Sequence, residues 1–467
     1  MTDAQDEFTG DGTIAEDTAA PTYGLNDEIV QEIQEAIERK DSAYLHERLE
    51  DWYSADVADL IEQLKPKLRL PFLQMMADRF DPDVFSDLDE NVREHLVDEM
   101  APAEIAAFVN ELELDDAVDF LENIEEDERR EVLKEIPPDE RAVLQEGLSY
   151  GEDSAGRLMQ RHLIAVPEYW NIGQTIDYMR DTDDLPDEFY EIFVVDPRHH
   201  PIGTIPLNRV MRSKRHVMVR DIMNAEQKLI PVDMDQEEVA FLFQQYRLAS
   251  AAVVNADGAL IGVITVDDIV DVINEEAEED ILRLGGVSED DLFGSVFRTI
   301  RARFPWLFVN LMTALAASFA ISFFDATMEA VIALAVLMPI AASIGGNAGT
   351  QALTVAVRAL ATKELTTANM FRILNKEALV ALINGCIFAV LVGLVAWGWF
   401  GSAVIGGIVA AALVVNILVA GVMGMIIPVI LDRLKVDPAI ASGVFVTTVT
   451  DLVGFVFFLG LATLILL

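Results

Sequence analysis

The apolar segment FVTTVTDLVGFVFFLG, residues 445–460, holds one carboxylate, Asp451, in a stretch otherwise suited to lipid or a protein core. An Asp at the centre of a membrane helix costs about 2.5–3.5 kcal/mol on insertion scales, so it implies a partner or a task. Thr447, Thr450 and Gly454 recur around it at three- and four-residue spacing, which puts two hydroxyls and the carboxylate on one helix face beside a small residue. Asn416, in the preceding apolar segment, adds an amide oxygen, and Asn347 adds another within PIAASIGGNAGTQAL, residues 339–353. In that stretch Pro339 removes a helix hydrogen bond, and Gly345, Gly346 and Gly349 allow close backbone approach. The expectation is an interrupted span with free carbonyl oxygens, against a competing reading of tight helix packing through small residues.

The donor set is therefore carboxylate, hydroxyl, amide and carbonyl oxygen. No histidine follows residue 301, and the single cysteine, Cys386, lies in an apolar run. Such donors suit Mg2+, Ca2+ or Mn2+ far better than Zn2+ or Cu+. Mg2+ sheds water reluctantly, so a path with few carboxylates and many neutral oxygens could pass it largely hydrated. One Asp supplies one negative charge; two copies around a symmetry axis would match a divalent ion, which favours a homodimer with the path on the axis.

These residues need five membrane helices to hold them. Expected spans are Pro305 to Phe324, Met328 to about Leu353, Ala378 to Trp397, Ala403 to Ile430 and Ile440 to Leu466, each long enough for a hydrocarbon core of about 30 Å. Arg301 and Arg303 precede the first, Arg358, Lys363, Arg372 and Lys376 separate the second from the third, and Arg433 and Lys435 separate the fourth from the fifth. The other two loops hold no Lys or Arg. The positive-inside rule then places the N-terminus in the cytoplasm and the C-terminus outside, in the inner or plasma membrane.

Charge divides the chain sharply. The formal net charge over 467 residues is -46. From residue 301 onward there are 8 Lys and Arg and 7 Asp and Glu, leaving 25 basic and 72 acidic residues before it. An acidic soluble part joined to a nearly uncharged apolar part argues against nucleic acid and anionic lipid as partners of the soluble part, and for cations; acidic surfaces also serve solvation at high salt. The N-terminus, MTDAQDEFTGDGTIAEDTAA, has no secretory signal pattern, and residues 1–24 are expected to be disordered. Residues 25–150 alternate short amphipathic runs with Pro and Asp, as a stack of short helical hairpins would.

Residues 154–273 carry a diverged repeat: FVVDPRHHPIGTIPLNRV (193–210) aligns with AVVNADGALIGVITVDDI (252–269) at an offset of 59. Each copy reads strand, turn, strand, helix start. The pair resembles tandem CBS domains, here 151–212 and 213–273, modules that pair around a cleft and often bind adenine nucleotides or metal ions. The second copy keeps Gly262, Thr265 and Asp268 of the nucleotide-binding pattern, which makes Thr265 and Asp268 the candidate ATP residues; the first has Pro206 and Arg209 instead.

RARFPWL, PIAASIGGNAGTQAL and DPAIASGVFVTTVTDLVGFVFF, with the helical domain, the CBS pair and five spans, resemble the MgtE family of magnesium transporters over nearly the whole chain. The resemblance implies an all-α superhelical N domain, α/β tandem CBS domains, a connecting plug helix over 274–300 and an all-α transmembrane domain over 301–467. It further implies a homodimer in the lipid bilayer whose Mg2+ path is selected at Asp451. Val444 stands where the family has Pro. Cytosolic Mg2+ held between acidic surfaces would keep the pore closed, because a divalent cation turns carboxylate repulsion into attraction. Candidate holders are Asp115, Asp116 and Asp119 in the helical domain, Asp267, Asp268 and Asp271 at the end of the CBS pair, and Glu275, Glu276, Glu279 and Asp280 in the connector. Competing readings are a carrier coupling Mg2+ or Co2+ to Na+ or protons, and a membrane-anchored CBS sensor. An enzyme is not expected, since the sequence shows no P-loop, nucleophile motif or catalytic His arrangement.

Overall fold

The computed structural model describes residues 25–77, 80–182, 185–186, 189–287, 296–366 and 368–467. The expectations for the tail 1–24 and for connector residues 288–295 lie outside them. The chain divides into two compact units that part at Asp268 and Ile269.

The first unit opens with nine helices among its described residues: α1 Asp27–Arg39, α2 Ser42–Arg48, α3 Ser54–Gln63, α4 Pro66–Met76, α5 Glu90–Glu99, α6 Pro102–Val109, α7 Leu114–Glu122, α8 Glu126–Glu135 and α9 Pro138–Gly147. Pro66, Pro102 and Pro138 each open a helix, where the missing N–H would have had no partner and the fixed φ already suits the turn. Their apolar stripes meet in one core that includes Leu60, Phe72 and Leu121. In α7 the stripe Ala117, Val118, Phe120 and Leu121 is buried, which leaves Asp115, Asp116 and Asp119 on the remaining face.

The repeat forms two like three-stranded sheets. In the first, β1 (Ala165–Pro167) pairs parallel with β2 (Glu191–Val195), which pairs antiparallel with β3 (Pro201–Pro206). In the second, β4 (Leu229–Pro231), β5 (Ser250–Val254) and β6 (Leu260–Thr265) repeat that order. The register breaks between Val194 and Val195 in one and between Val253 and Val254 in the other, the same place at the 59-residue offset. Each copy borrows the other's upstream arm: Gln160 exchanges backbone hydrogen bonds with Val263, and Asn224 with Thr204. Helices α10 (Ile172–Asp181), α11 (Leu207–Arg212), α12 (Val219–Ile222) and α13 (Gln236–Tyr246) complete the pair.

The connector does not begin as a new element. Helix α14 runs unbroken from Val266 to Gly285, so the last CBS helix and the expected plug helix are one rod to that point. Beyond it come α15 (Val296–Ser322), α16 (Asp325–Ala330), α17 (Ala333–Ala361), α18 (Met370–Phe400), α19 (Ala403–Arg433) and α20 (Pro438–Leu466). Five of these are long and apolar enough to cross a membrane. Helix α19 packs along α17, α18 and α20, α17 also packs along α20, and α15 packs on α20.

Two span expectations change. Met328 belongs to the short α16, and the second span starts at Ala333. That span is not interrupted: α17 is continuous through Pro339 and the glycines. Pro339 removes one backbone bond, whereas unwinding would strip several carbonyls of partners in an apolar setting, which costs more. The helix keeps its own bonds, and the Gly346 carbonyl also accepts the Thr350 hydroxyl at 3.1 Å.

Candidate ion path and cation-binding clusters

Asp451 lies half-buried on α20, and among the described residues no side chain or backbone group pairs with it. One turn earlier, the Thr447 hydroxyl donates to the Gly443 carbonyl at 2.9 Å and to that of Val444 at 3.1 Å. Thr450 is fully buried, its hydroxyl donating to the Thr447 carbonyl at 2.9 Å. Both hydroxyl protons are thus spent on the helix itself, and of the two residues it is the partly exposed Thr447 whose oxygen lone pairs remain to face a cation.

Asn416 takes a different place from the one its donor chemistry suggested. It is 0% exposed, its Nδ2 donates to the Ala341 carbonyl of α17 at 2.9 Å, and among the described residues its Oδ1 has no partner. A Cβ on Gly345 of α17 or on Gly454 of α20 would overlap the amide. Gly349 likewise admits Val446 of α20. The small residues therefore serve close packing of α17, α19 and α20, and Asn416, Thr450 and Gly454 belong to that seam while Asp451 and Thr447 remain partly exposed. Asn347 turns elsewhere, into a cleft between α17 and α18.

The acidic candidates fall into two clusters, one in each unit. In the first, Asp115 and Asp116 at the start of α7 face Asp268 at the start of α14. Burial, then Asp268 and Asp116, hold the Asp115 carboxyl well above the usual carboxylate range. Burial and then Asp268 push Asp116 up to about 6, and burial pushes Asp268 to about 6 despite a 2.7 Å hydrogen bond from the Thr265 hydroxyl. The Asp115 Oδ1 is out of contact with solvent and has no hydrogen-bond partner among the described residues. Asp119, expected to act with Asp115, instead pairs with Arg93 at 3.0 Å. Asp267 is exposed.

The second cluster lies in the second unit. Glu279 and Arg283 of α14 are in direct ion contact, and Arg283 also reaches Asp437 at 2.6 Å. Asp280 is raised by burial, then by Asp437 and Glu276. Asp271 and Glu275 lie exposed on the same helix. Sequence reasoning missed Arg283 and Asp437, although Asp437 followed by Pro438 is a recognisable helix-start signature. Among the described residues no three His, Cys, Asp or Glu side chains form a ready metal cage. In the second cluster Arg283 already stands among the carboxylates of Glu279 and Asp437. The first nonetheless suits a hard cation, since its donors are carboxylate oxygens and the Asp115 Oδ1 is buried without a partner among the described residues. A divalent ion held there would act through retained water, drawing the carboxylates together.

The sequence model described as divalent cation transporter, MgtE, matches residues 338–461, and that of the MgtE intracellular N domain matches 52–153. The magnesium transporter MgtE of Bacillus subtilis is 28% identical over 411 residues, 87% of this chain and 91% of that protein. That of Thermus thermophilus is 32% identical over 449 residues, 95% of this chain and 99% of that protein. This chain belongs to the MgtE family of magnesium transporters. It is a multi-pass membrane protein of that family, with helical N domain, CBS pair and five apolar helices. The CBS domain model matches residues 219–275, within the second copy and the start of α14. Among solved structures, the cytosolic domain of the Mg2+ channel MgtE in complex with ATP is 26% identical and covers 50% of this chain and 99% of that one, with a TM-score of 0.36.

Proposed function

We propose that this chain forms a homodimeric Mg2+-selective channel that cytosolic Mg2+ closes. The observation that carries the reading is Asp451, an unpaired carboxylate on an apolar helix, which is tolerated at such depth only where it meets its twin or an ion path. Beside it α20 exposes an apolar groove lined by Leu452, Val456, Phe457 and Leu464, a surface that a second copy would cover. Two Asp451 carboxylates on a shared axis would balance one divalent charge, with Thr447 oxygens recognising its water shell. The loop charges put the N-terminus in the cytoplasm.

Closure would use the two clusters. Mg2+ at Asp115, Asp116 and Asp268 would draw the helical domain onto the CBS pair, and Mg2+ near Glu279, Asp280 and Asp437 would draw α14 onto the start of the path helix. The hydrogen-bonded Thr265 and Asp268 also form the proposed ATP contact of the second CBS copy; since Asp268 serves both, ATP and Mg2+ at this site would be coupled.

Currents from membrane patches holding the purified protein, with Mg2+ stepped on the cytosolic face, test this. Unitary Mg2+ currents that shut as cytosolic Mg2+ rises are expected. Flux without unitary currents would shift the reading to an ion-coupled carrier that uses Asp451 as a relay, and no flux would leave an anchored sensor.

A further inference from the structure

Helices α17 and α18 both pack on α19 but scarcely on each other, and a cleft of about 390 Å3 lies between them. Asn347 and Gln351 face it from α17, four residues apart, and Glu377 and Asn384 face it from α18, seven residues apart. Its floor is the tight contact of Gly421 on α19 with Ala381 on α18. Among the described residues none of the four polar side chains has a hydrogen-bond or ion-pair partner. No Lys or Arg lines the cleft among the described residues.

Depth follows from helix rise. Helix α18 has 31 residues, about 46 Å at 1.5 Å each, so it overreaches a hydrocarbon core of about 30 Å at both ends. Glu377 sits about 10 Å from its start, near the core boundary, and Asn384 about 21 Å in, close to mid-membrane. Asn347 is about 21 Å along α17. Four unpaired polar groups at these depths are costly against lipid, and the cleft has room for on the order of ten waters.

We propose that this cleft, apart from the Asp451 face, is a second intramembrane cation site that holds Mg2+ with its water shell, Glu377 supplying the charge and Asn347, Gln351 and Asn384 accepting from the bound waters. One carboxylate with neutral oxygens and no cationic side chain excludes anions, and outer-sphere contact is how Mg2+ is held where few carboxylates converge. The inference rests on the reading that Mg2+ is the cargo.

Thiol protection on the full chain in proteoliposomes tests it without relying on transport. In a Cys386→Ala background, Phe388→Cys on the α18 wall and Val355→Cys on the α17 wall, both lining the cleft without supplying one of the proposed contacts, are labelled by a small cationic thiol reagent. Mg2+ at roughly ten times the site's Kd should slow labelling roughly tenfold, Na+ at equal ionic strength should not, and adding Glu377→Gln should abolish the protection. Protection by Na+ equal to that by Mg2+, protection that survives Glu377→Gln, labelling that Mg2+ leaves unchanged, or no labelling at either wall would each overturn the proposal. Mg2+ flux through the unsubstituted chain, measured alongside, separates the two readings: flux without protection sinks the cleft alone, and no flux sinks the transport reading.

Discussion

The Asp437 carboxylate holds two elements at once: its Oδ2 accepts from Arg283 of α14 at 2.6 Å, and its Oδ1 accepts the Ala439 N–H at 2.7 Å. One side chain therefore caps α20, the helix that carries Asp451, and fastens it to the connector. Replacing Asp437 with Ala should cost about 1 kcal/mol for the cap alone, read as a lower unfolding midpoint of the full chain. Arg283→Gln should act oppositely on regulation. It removes a tethered cation from among Glu279, Asp280 and Asp437, so Mg2+ should occupy the cluster more readily, and inhibition of flux by cytosolic Mg2+ should move to concentrations at least about fivefold lower, the low end of ordinary coupling. An unmoved midpoint would dissociate this cluster from gating.

The first cluster predicts a pH dependence of definite sign. Asp116 and Asp268 are raised to about 6 and Asp115 is raised as well, so between about pH 4 and 6 the folded protein holds protons that the unfolded chain has released. The contribution of these groups to stability therefore grows as pH falls through 6 toward 4, and is unfavourable above it unless a cation is bound. Hydrogen exchange of α7 amides in the full chain, corrected for intrinsic rates, should show more protection at pH 5 than at pH 7.5 in chelator. Mg2+ should restore protection at pH 7.5 and add little at pH 5. Asp115→Asn should be protected at pH 7.5 without Mg2+.

The Asn416 seam predicts non-additive packing. Gly454→Ala should destabilise by about 1–3 kcal/mol through overpacking against the amide. Combined with Asn416→Ala, which removes that amide, the same substitution should cost less than half as much, a coupling that denaturant unfolding of the four variants would measure. Full additivity would place the methyl elsewhere.

Much of this architecture is legible in the sequence because period and charge are one-dimensional signals. The 59-residue repeat predicts paired sheets, which share even their register breaks at Val194 and Val253, and the Arg and Lys positions bracket five spans. Side-chain destinations are less legible. Asn347 and Asn416 have the same chemistry and similar surroundings in the sequence, yet one faces a polar cleft and the other is sealed against Gly345 and Gly454, because helix rotation depends on neighbours distant in the chain. Pro339 and its glycines read equally as a break or as a seam, and only the cost of freeing carbonyls in an apolar setting decides it. Arg283 and Asp437 lie 154 positions apart, beyond any local pattern.

The central claim, that Asp451 carries the ion path, is met most directly by initial Mg2+ uptake into proteoliposomes bearing the unsubstituted chain or Asp451→Asn. The substitution keeps side-chain size and removes only the charge. Loss of at least about tenfold in uptake, equivalent to about 1.4 kcal/mol, with the oligomeric state and unfolding midpoint unchanged, is the predicted result. Equal uptake by the two proteins would contradict it and leave the carboxylate without a part in transport.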